Sequence, residues 1–224
     1  MENNAFLRVR RNVMNAIPYP VLFNVADLMD HLAVPPHRIR LQPPPGQATE
    51  EDAIQNKLCE LIDGVLVEKA MGYYESRMAV ALLYFLERYL EGNPLGFLLD
   101  GSGIIRVSER QIRLPDVSFV SWDHFPDRKL PAGQILDLVP DLAVEVLSPT
   151  NTNDEMARKR REYFAGGGKL VWEANPPTRT VEVFTAPDLS TTLDENGILD
   201  GGTVLPGFSL PIRDWFARAG ERSA

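Results

Sequence analysis

The sequence predicts a mixed α/β domain with a mixed sheet, and three observations carry that prediction. One long helix has its apolar residues on a single stripe, Met78, Leu82, Phe85, Leu86 and Tyr89. Three β-like segments follow it, "LGFLLD", "IIRVSE" and "IRLPDVSFVSW". An acid-bearing strand, "DLAVEVLS", then leads into a polar helix, "DEMARKRREYFAG", and back to a strand, "KLVWEA". Alternation of this kind excludes a repeat array and an all-β sandwich.

Taken in order, the chain begins with an extension of different character, residues 1–57. "VADLMDHLA" has helical spacing, and "VPPHRIRLQPPPGQATEED" carries five prolines. The "PPPG" step can be neither helix nor central strand, so this stretch reads as an ordered strap, with "RIRL" alternating as an edge strand. Thr49 is placed to cap a helix whose first turn holds Glu50, Glu51 and Asp52, where carboxylates meet the positive helix end.

The main domain is expected over residues 58–224. It opens on two short β-like runs around Asp63-Gly64, a two-residue hairpin signal. Gly92-Asn93-Pro94 ends the long helix, and three glycines, Gly166, Gly167 and Gly168, stop the polar one. "TRTVEVFTA" alternates as a further strand, and "LPGFSLPIRDWFARAG" reads as a short strand and a terminal helix.

The 224 residues carry a formal net charge of −8, which argues against a surface that coats nucleic acid indiscriminately. A local basic groove is compatible with it. Cys59 is the single cysteine, so neither an intrachain disulfide nor a cysteine zinc site is available, which fits a reducing, cytoplasmic setting. The longest clean apolar run, "MAVALLYFL", is too short to span a bilayer, and no compact apolar leader is expected near the start. His31, His37 and His124 are isolated in sequence, which gives no support to a histidine metal cluster or a Ser-His-Asp triad.

The chemistry points to two acids. Residues two apart on a strand share a face, so Asp116 points with Leu114 and Ser118, and Glu145 with Ala143 and Leu147. If the two strands are neighbours, the carboxylates converge, and a cation between them would relieve their repulsion. Mg²⁺ suits carboxylate oxygens and keeps waters and phosphates as its other partners. On the following helix Glu155, Lys159 and Glu162 or Tyr163 share a face, so Lys159 is placed to lean back over the strand. Taken alone, an Asp after Pro is ordinarily a turn residue, a Glu on a strand ordinarily faces water, and "ARKRREYF" is ordinarily a wet helix face. Their conjunction in this order is what points to a site.

The series "ELIDGVLVE", "LPDVSFVSW", "PDLAVEVLSP", "EMARKRREYF", "LVW" and "LPGFSLPI" resembles the putative restriction endonuclease family expanded in cyanobacteria and planctomycetes, within the PD-(D/E)XK nuclease superfamily. The resemblance runs from Glu60 to Phe216. It implies a restriction-endonuclease-like α-βββ-α-β core with the N-terminal extension and an extra β-hairpin. It also implies Mg²⁺-dependent (or Mn²⁺-dependent) hydrolysis of DNA phosphodiesters. Asp116 matches the Asp of the PD motif and Glu145 the acid of (D/E)XK, and these two are the expected metal ligands. The motif's lysine is missing at Leu147, and Lys159 is expected to replace it. A further acid is expected from Glu75, ranked first, or from Glu60. Glu173 stands in a slot that the family pattern makes apolar.

Two functional readings follow: a metal-dependent endonuclease, or a catalytically inactive nuclease fold kept to bind nucleic acid or protein. Nucleases of the fold that the resemblance implies often pair so as to cut both strands of a duplex, which makes a homodimer a further expectation, with the strap as its contact.

Overall fold

The computed structural model describes residues 25–221, so the first part of the extension lies outside the described residues. Two short helices open it, α1 (Val25–Leu32) and α2 (Glu50–Gln55). The Thr49 hydroxyl accepts from the Asp52 N–H, and the Asp52 carboxylate accepts from the Thr49 N–H, a complete capping box on α2. The strap between the helices makes one bridge rather than a strand, Ile39 opposite Val67.

Strands β1 (Cys59–Ile62) and β2 (Val65–Glu68) form the expected hairpin. Asp63 and Gly64 both have positive φ, 51° and 81°, which suits the twist of a two-residue turn. Gly64 is needed for a second reason, because a Cβ there would come within 2.5 Å of the Gly46 carbonyl oxygen. That close approach lets the strap dock, with Gly46 and Ala48 N–H groups both donating to the Gly64 carbonyl.

Helix α3 (Tyr73–Gly92) follows, then β3 (Gly96–Asp100), β4 (Ile105–Ser108), β5 (Gln111–Arg113) and β6 (Val117–Ser121). The stretch read from sequence as one strand, "IRLPDVSFVSW", is thus two. Its first half joins the hairpin in a four-stranded sheet, β2-β1-β5-β4, and its second half enters the main sheet. Pro115 lacks the N–H a continuous ladder needs, and the chain changes sheets there.

Strand β7 (Leu142–Val146), α4 (Asn153–Ala165), β8 (Leu170–Asn175) and β9 (Thr180–Ala186) agree with the sequence reading. Three strands come after them: β10 (Leu189–Leu193), β11 (Ile198–Gly201) and β12 (Leu205–Pro211), before the terminal α5 (Ile212–Ala219). β10 and β11 went unread because their residues are polar or glycine-rich and mostly exposed.

The main sheet has the order β10-β9-β8-β7-β6-β3, with β7 and β8 parallel and the other pairs antiparallel. One face carries the large core. Met78, Leu82 and Leu86 of α3 and Trp215 and Phe216 of α5 pack there on Val117, Phe119, Leu142, Val144, Val146 and Trp172. The other face receives α4, with Tyr163 packed among Ala143, Val171 and Phe184. Alternation along β7 therefore sends its valines to the large core and Glu145 toward α4.

Candidate active site

Strand pairing puts the two acids together. Val117 pairs with Val144 and Ser118 with Ala143, so one step further along the same register Asp116 stands opposite Glu145. Asp116 N–H donates to the Val144 carbonyl at 2.9 Å, and Val146 N–H donates to Asp116 Oδ2 at 2.6 Å. The carboxylate is thereby fixed against the backbone beside Glu145. Its other oxygen, Oδ1, is buried and receives no hydrogen bond of good geometry. The Lys69 ammonium lies 2.7 Å from it as an ion pair.

Helix α4 supplies the base that its spacing suggested. Lys159 Nζ stands 3.2 and 3.1 Å from the two Glu145 oxygens and 3.0 Å from Glu60 Oε1. Tyr163, one turn on, donates its hydroxyl to Glu145 Oε1 at 2.6 Å. Arg113 reaches Glu60 Oε2 at 2.8 Å and Glu162 at 2.6 Å. Glu60, Asp116, Glu145 and Lys159 are all at most 4% exposed. The two lysines and Arg113 thus face three buried carboxylates.

Charge in such a place is governed by burial first. Burial pushes the Glu145 carboxyl up to about 7; Lys159 opposes the shift, and Asp116 and Glu60 add to it. Burial works the same way on Glu60, but Lys159 and Arg113 outweigh it and hold that carboxyl down at about 2. For Lys159 burial disfavours the ammonium, yet Glu145 and Glu60 prevail and its pKa is raised.

Of the expected residues, Asp116, Glu145, Lys159 and Glu60 share this network. Glu75 is the third residue of α3, buried, with its carboxylate folded back over Gly72, where a Cβ would lie 2.4 Å from Oε2. The order of preference set from sequence, Glu75 before Glu60, is therefore not the order of contact with Lys159. Leu147, where the motif's lysine is missing, is half-buried just past the end of β7. Lys69 and Arg113 were not singled out from sequence. Nothing in "VEKAMG" separates Lys69 from a surface lysine, whereas Arg113, placed inside an apolar strand three residues before Asp116, carried the same kind of signal as Glu145.

A family model described as "Putative restriction endonuclease" matches residues 50–213, most of the chain and the whole of this network. The chain belongs to that family. A solved structure of a putative nuclease belonging to DUF820 from Anabaena variabilis is similar at 18% identity, with a TM-score of 0.64. The likeness covers 72% of this chain and 90% of that one and shows a shared fold. No curated protein matches the chain.

Among the described residues no group of three or more His, Cys, Asp or Glu side chains forms a ready-made metal cage. The donor set does fit Mg²⁺, which binds through one or two carboxylates and leaves its other positions to water and phosphate. Asp116 Oδ1, which accepts no hydrogen bond of good geometry and faces the Lys69 ammonium, is the oxygen that would meet the ion. Among the described residues no helix is long and apolar enough to cross a membrane.

Proposed function

We propose that this chain is a Mg²⁺-dependent endodeoxyribonuclease that hydrolyses DNA phosphodiester bonds. Asp116 and Glu145 would hold the ion, with Mn²⁺ as a substitute. The observation that supports this most is the placement of Lys159 on Glu145, beside Asp116, from a helix rather than from the strand. Mg²⁺ bound there would supply positive charge beside the phosphoryl group and acidify a water.

The chain's own residues do the positioning. The Val146 N–H turns Asp116 so that Oδ1 meets the site, and Tyr163 orients Glu145 through Oε1. Lys159 holds a fixed positive charge where negative charge grows on the phosphoryl oxygens during attack. Glu60, tied to Arg113, keeps that ammonium from moving away. Two copies acting together would cut both strands of a duplex, the role for a homodimer.

A second reading is favoured by one specific observation. The carboxylates and ammonium groups are buried and pair with each other, so no part of the network depends on a substrate or ion for its charge balance. That suits a nuclease fold kept as a binding module for nucleic acid or protein. Cleavage of plasmid and of single-stranded DNA in Mg²⁺, Mn²⁺ or EDTA, with wild type beside Glu145→Ala, separates the two. Metal-dependent cutting lost in the variant supports the nuclease. Cutting by neither protein on both substrates supports the binding module.

A further inference from the structure

The Asp116 carboxylate already has a cation. Lys69 Nζ lies 2.7 Å from Oδ1, and the two side chains are 3% and 2% exposed. The ammonium is held at a second point by the Gly101 carbonyl, 3.2 Å away. Its root is held as well, since Lys69 N–H donates to the Leu58 carbonyl at 2.8 Å, directly after β2. Gly101 leaves the space this requires: a Cβ there would stand 2.6 Å from Nζ and 3.0 Å from Met71 Cε.

The oxygen involved is the one a metal would use. Asp116 Oδ2 is taken by the Val146 N–H, so a divalent cation approaching this carboxylate meets Oδ1, where the ammonium sits. Glu145 is likewise served by Lys159 and Tyr163. Placing a doubly charged ion on Oδ1 while Lys69 stays within contact would set two cations side by side in a site shielded from water, where like charges repel strongly. A lysine can leave, because its charge is carried on a flexible four-carbon stem.

We infer that Lys69 is a resident counter-ion of Asp116 that a divalent cation must displace, so that metal uptake is an exchange of the Lys69 ammonium for the metal. The inference rests on the metal reading above. It assigns Lys69 the role of setting how tightly the site takes its ion, and of holding the empty site together. Lys69 is a positioning residue here; the phosphoryl chemistry stays with Lys159.

The test is Mn²⁺ binding to the full chain, followed by calorimetry and by the paramagnetic resonance of free Mn²⁺. Wild type, Lys69→Met, Lys69→Gln and Asp116→Asn would be compared without DNA. Thermal unfolding with and without Mn²⁺ gives a second readout. With the competing charge removed, both Lys69 variants should bind Mn²⁺ at least tenfold more tightly than wild type. Without metal they should melt at lower temperature, and Mn²⁺ should raise their melting point by more than it raises that of wild type. A Lys69→Met protein that folds only when Mn²⁺ is added would support the exchange equally. Equal or weaker binding by the variants, abolished in Asp116→Asn, would overturn the exchange and leave the metal reading standing. No binding by wild type or either Lys69 variant would overturn both.

Discussion

Glu145 and Glu173 are register partners on the parallel strands β7 and β8, and two consecutive residues of α4 serve them. Lys159 lies 3.1 Å from Glu145, and Arg160 lies 2.7 Å from Glu173. Successive helix residues diverge by about 100° around the axis, so the helix straddles the strand pair and drops one base on each side. Glu182 on β9 continues the row opposite Glu173. Burial raises the Glu173 pKa, Arg160 opposes the shift and Glu182 adds to it. An apolar slot can hold this glutamate because Arg160 stands over it, itself stacked 4.3 Å above the Phe184 ring.

Removing that base should therefore be costly. Arg160→Ala leaves Glu173 buried without its partner, and breaking a buried pair from one side destabilises by about 3 kcal/mol. Adding Glu173→Leu to the same protein should recover most of the loss, since an apolar residue suits the surroundings. Urea unfolding of the two single variants and the double variant gives the comparison. A double variant no more stable than Arg160→Ala would show that packing of the arginine on Phe184, and not the charge pair, is what matters.

The strap is fixed to α4 by a comparable pair. Arg38 is 4% exposed and bidentate to Glu155, at 2.9 and 2.8 Å, and its Nε donates to the Glu68 carbonyl at 2.8 Å. Arg38→Met should cost about 3–5 kcal/mol in chemical unfolding, because Glu155 is left buried and charged. Limited proteolysis should then cut first between residues 34 and 49. With these contacts made inside one chain, the strap's inner face is occupied, and a homodimer contact through the strap would have to use its outer side.

Most of the fold was legible because periodicity and punctuation agreed: the stripe of α3, the Asp63-Gly64 turn and the glycines after α4 each had a local cause. The site was legible in part for the same reason. A strand's two-residue alternation gives the faces of Asp116 and Glu145, and helical spacing gives the side of Lys159. What sequence could not give was partnership between distant residues. Lys69 reaches Asp116, and Arg113 reaches Glu60, only because the chain changes sheets at Pro115, and no local pattern announces that. For the third acid, a place in the first core helix favoured Glu75, while strand β1 brings Glu60 to Lys159.

Glu60 also sets a response to acid. Its pKa falls from an ordinary 4.5 to about 2 on folding, held down by Lys159 and Arg113 against burial. A carboxylate depressed in this way contributes stability that is present above its unfolded value and is lost as pH falls through the folded one. The window here runs from about pH 4.5 to about pH 2, and the contribution is on the order of 3 kcal/mol. The stability difference between wild type and Glu60→Gln should shrink steadily across that window, measured by unfolding at fixed ionic strength. A difference that stays constant from pH 5 to pH 2 would remove Glu60 from the charged network.

Lys159, which stands on the helix and not at position 147 of the strand, offers the sharpest test of the proposed chemistry. Lys159→Met should lower cleavage by about 100-fold or more, the scale of losing one preorganised positive or donor group at a developing negative charge. It should also destabilise the fold, since Glu60 and Glu145 lose the ammonium between them, so rates must be compared well below the variant's melting point. Leu147 shares the Glu145 side of its strand and is half-buried. A lysine placed there stands two residues after the acid, on the strand instead of the helix. The double variant Lys159→Met with Leu147→Lys should therefore recover at least tenfold of the lost rate if what the site needs is an ammonium beside Glu145, whichever element delivers it. A double variant as slow as Lys159→Met alone, yet well folded, would mean that the ammonium works only when Glu60 and Arg113 hold it from behind. In that case the helix position is part of the chemistry and not merely another route to it.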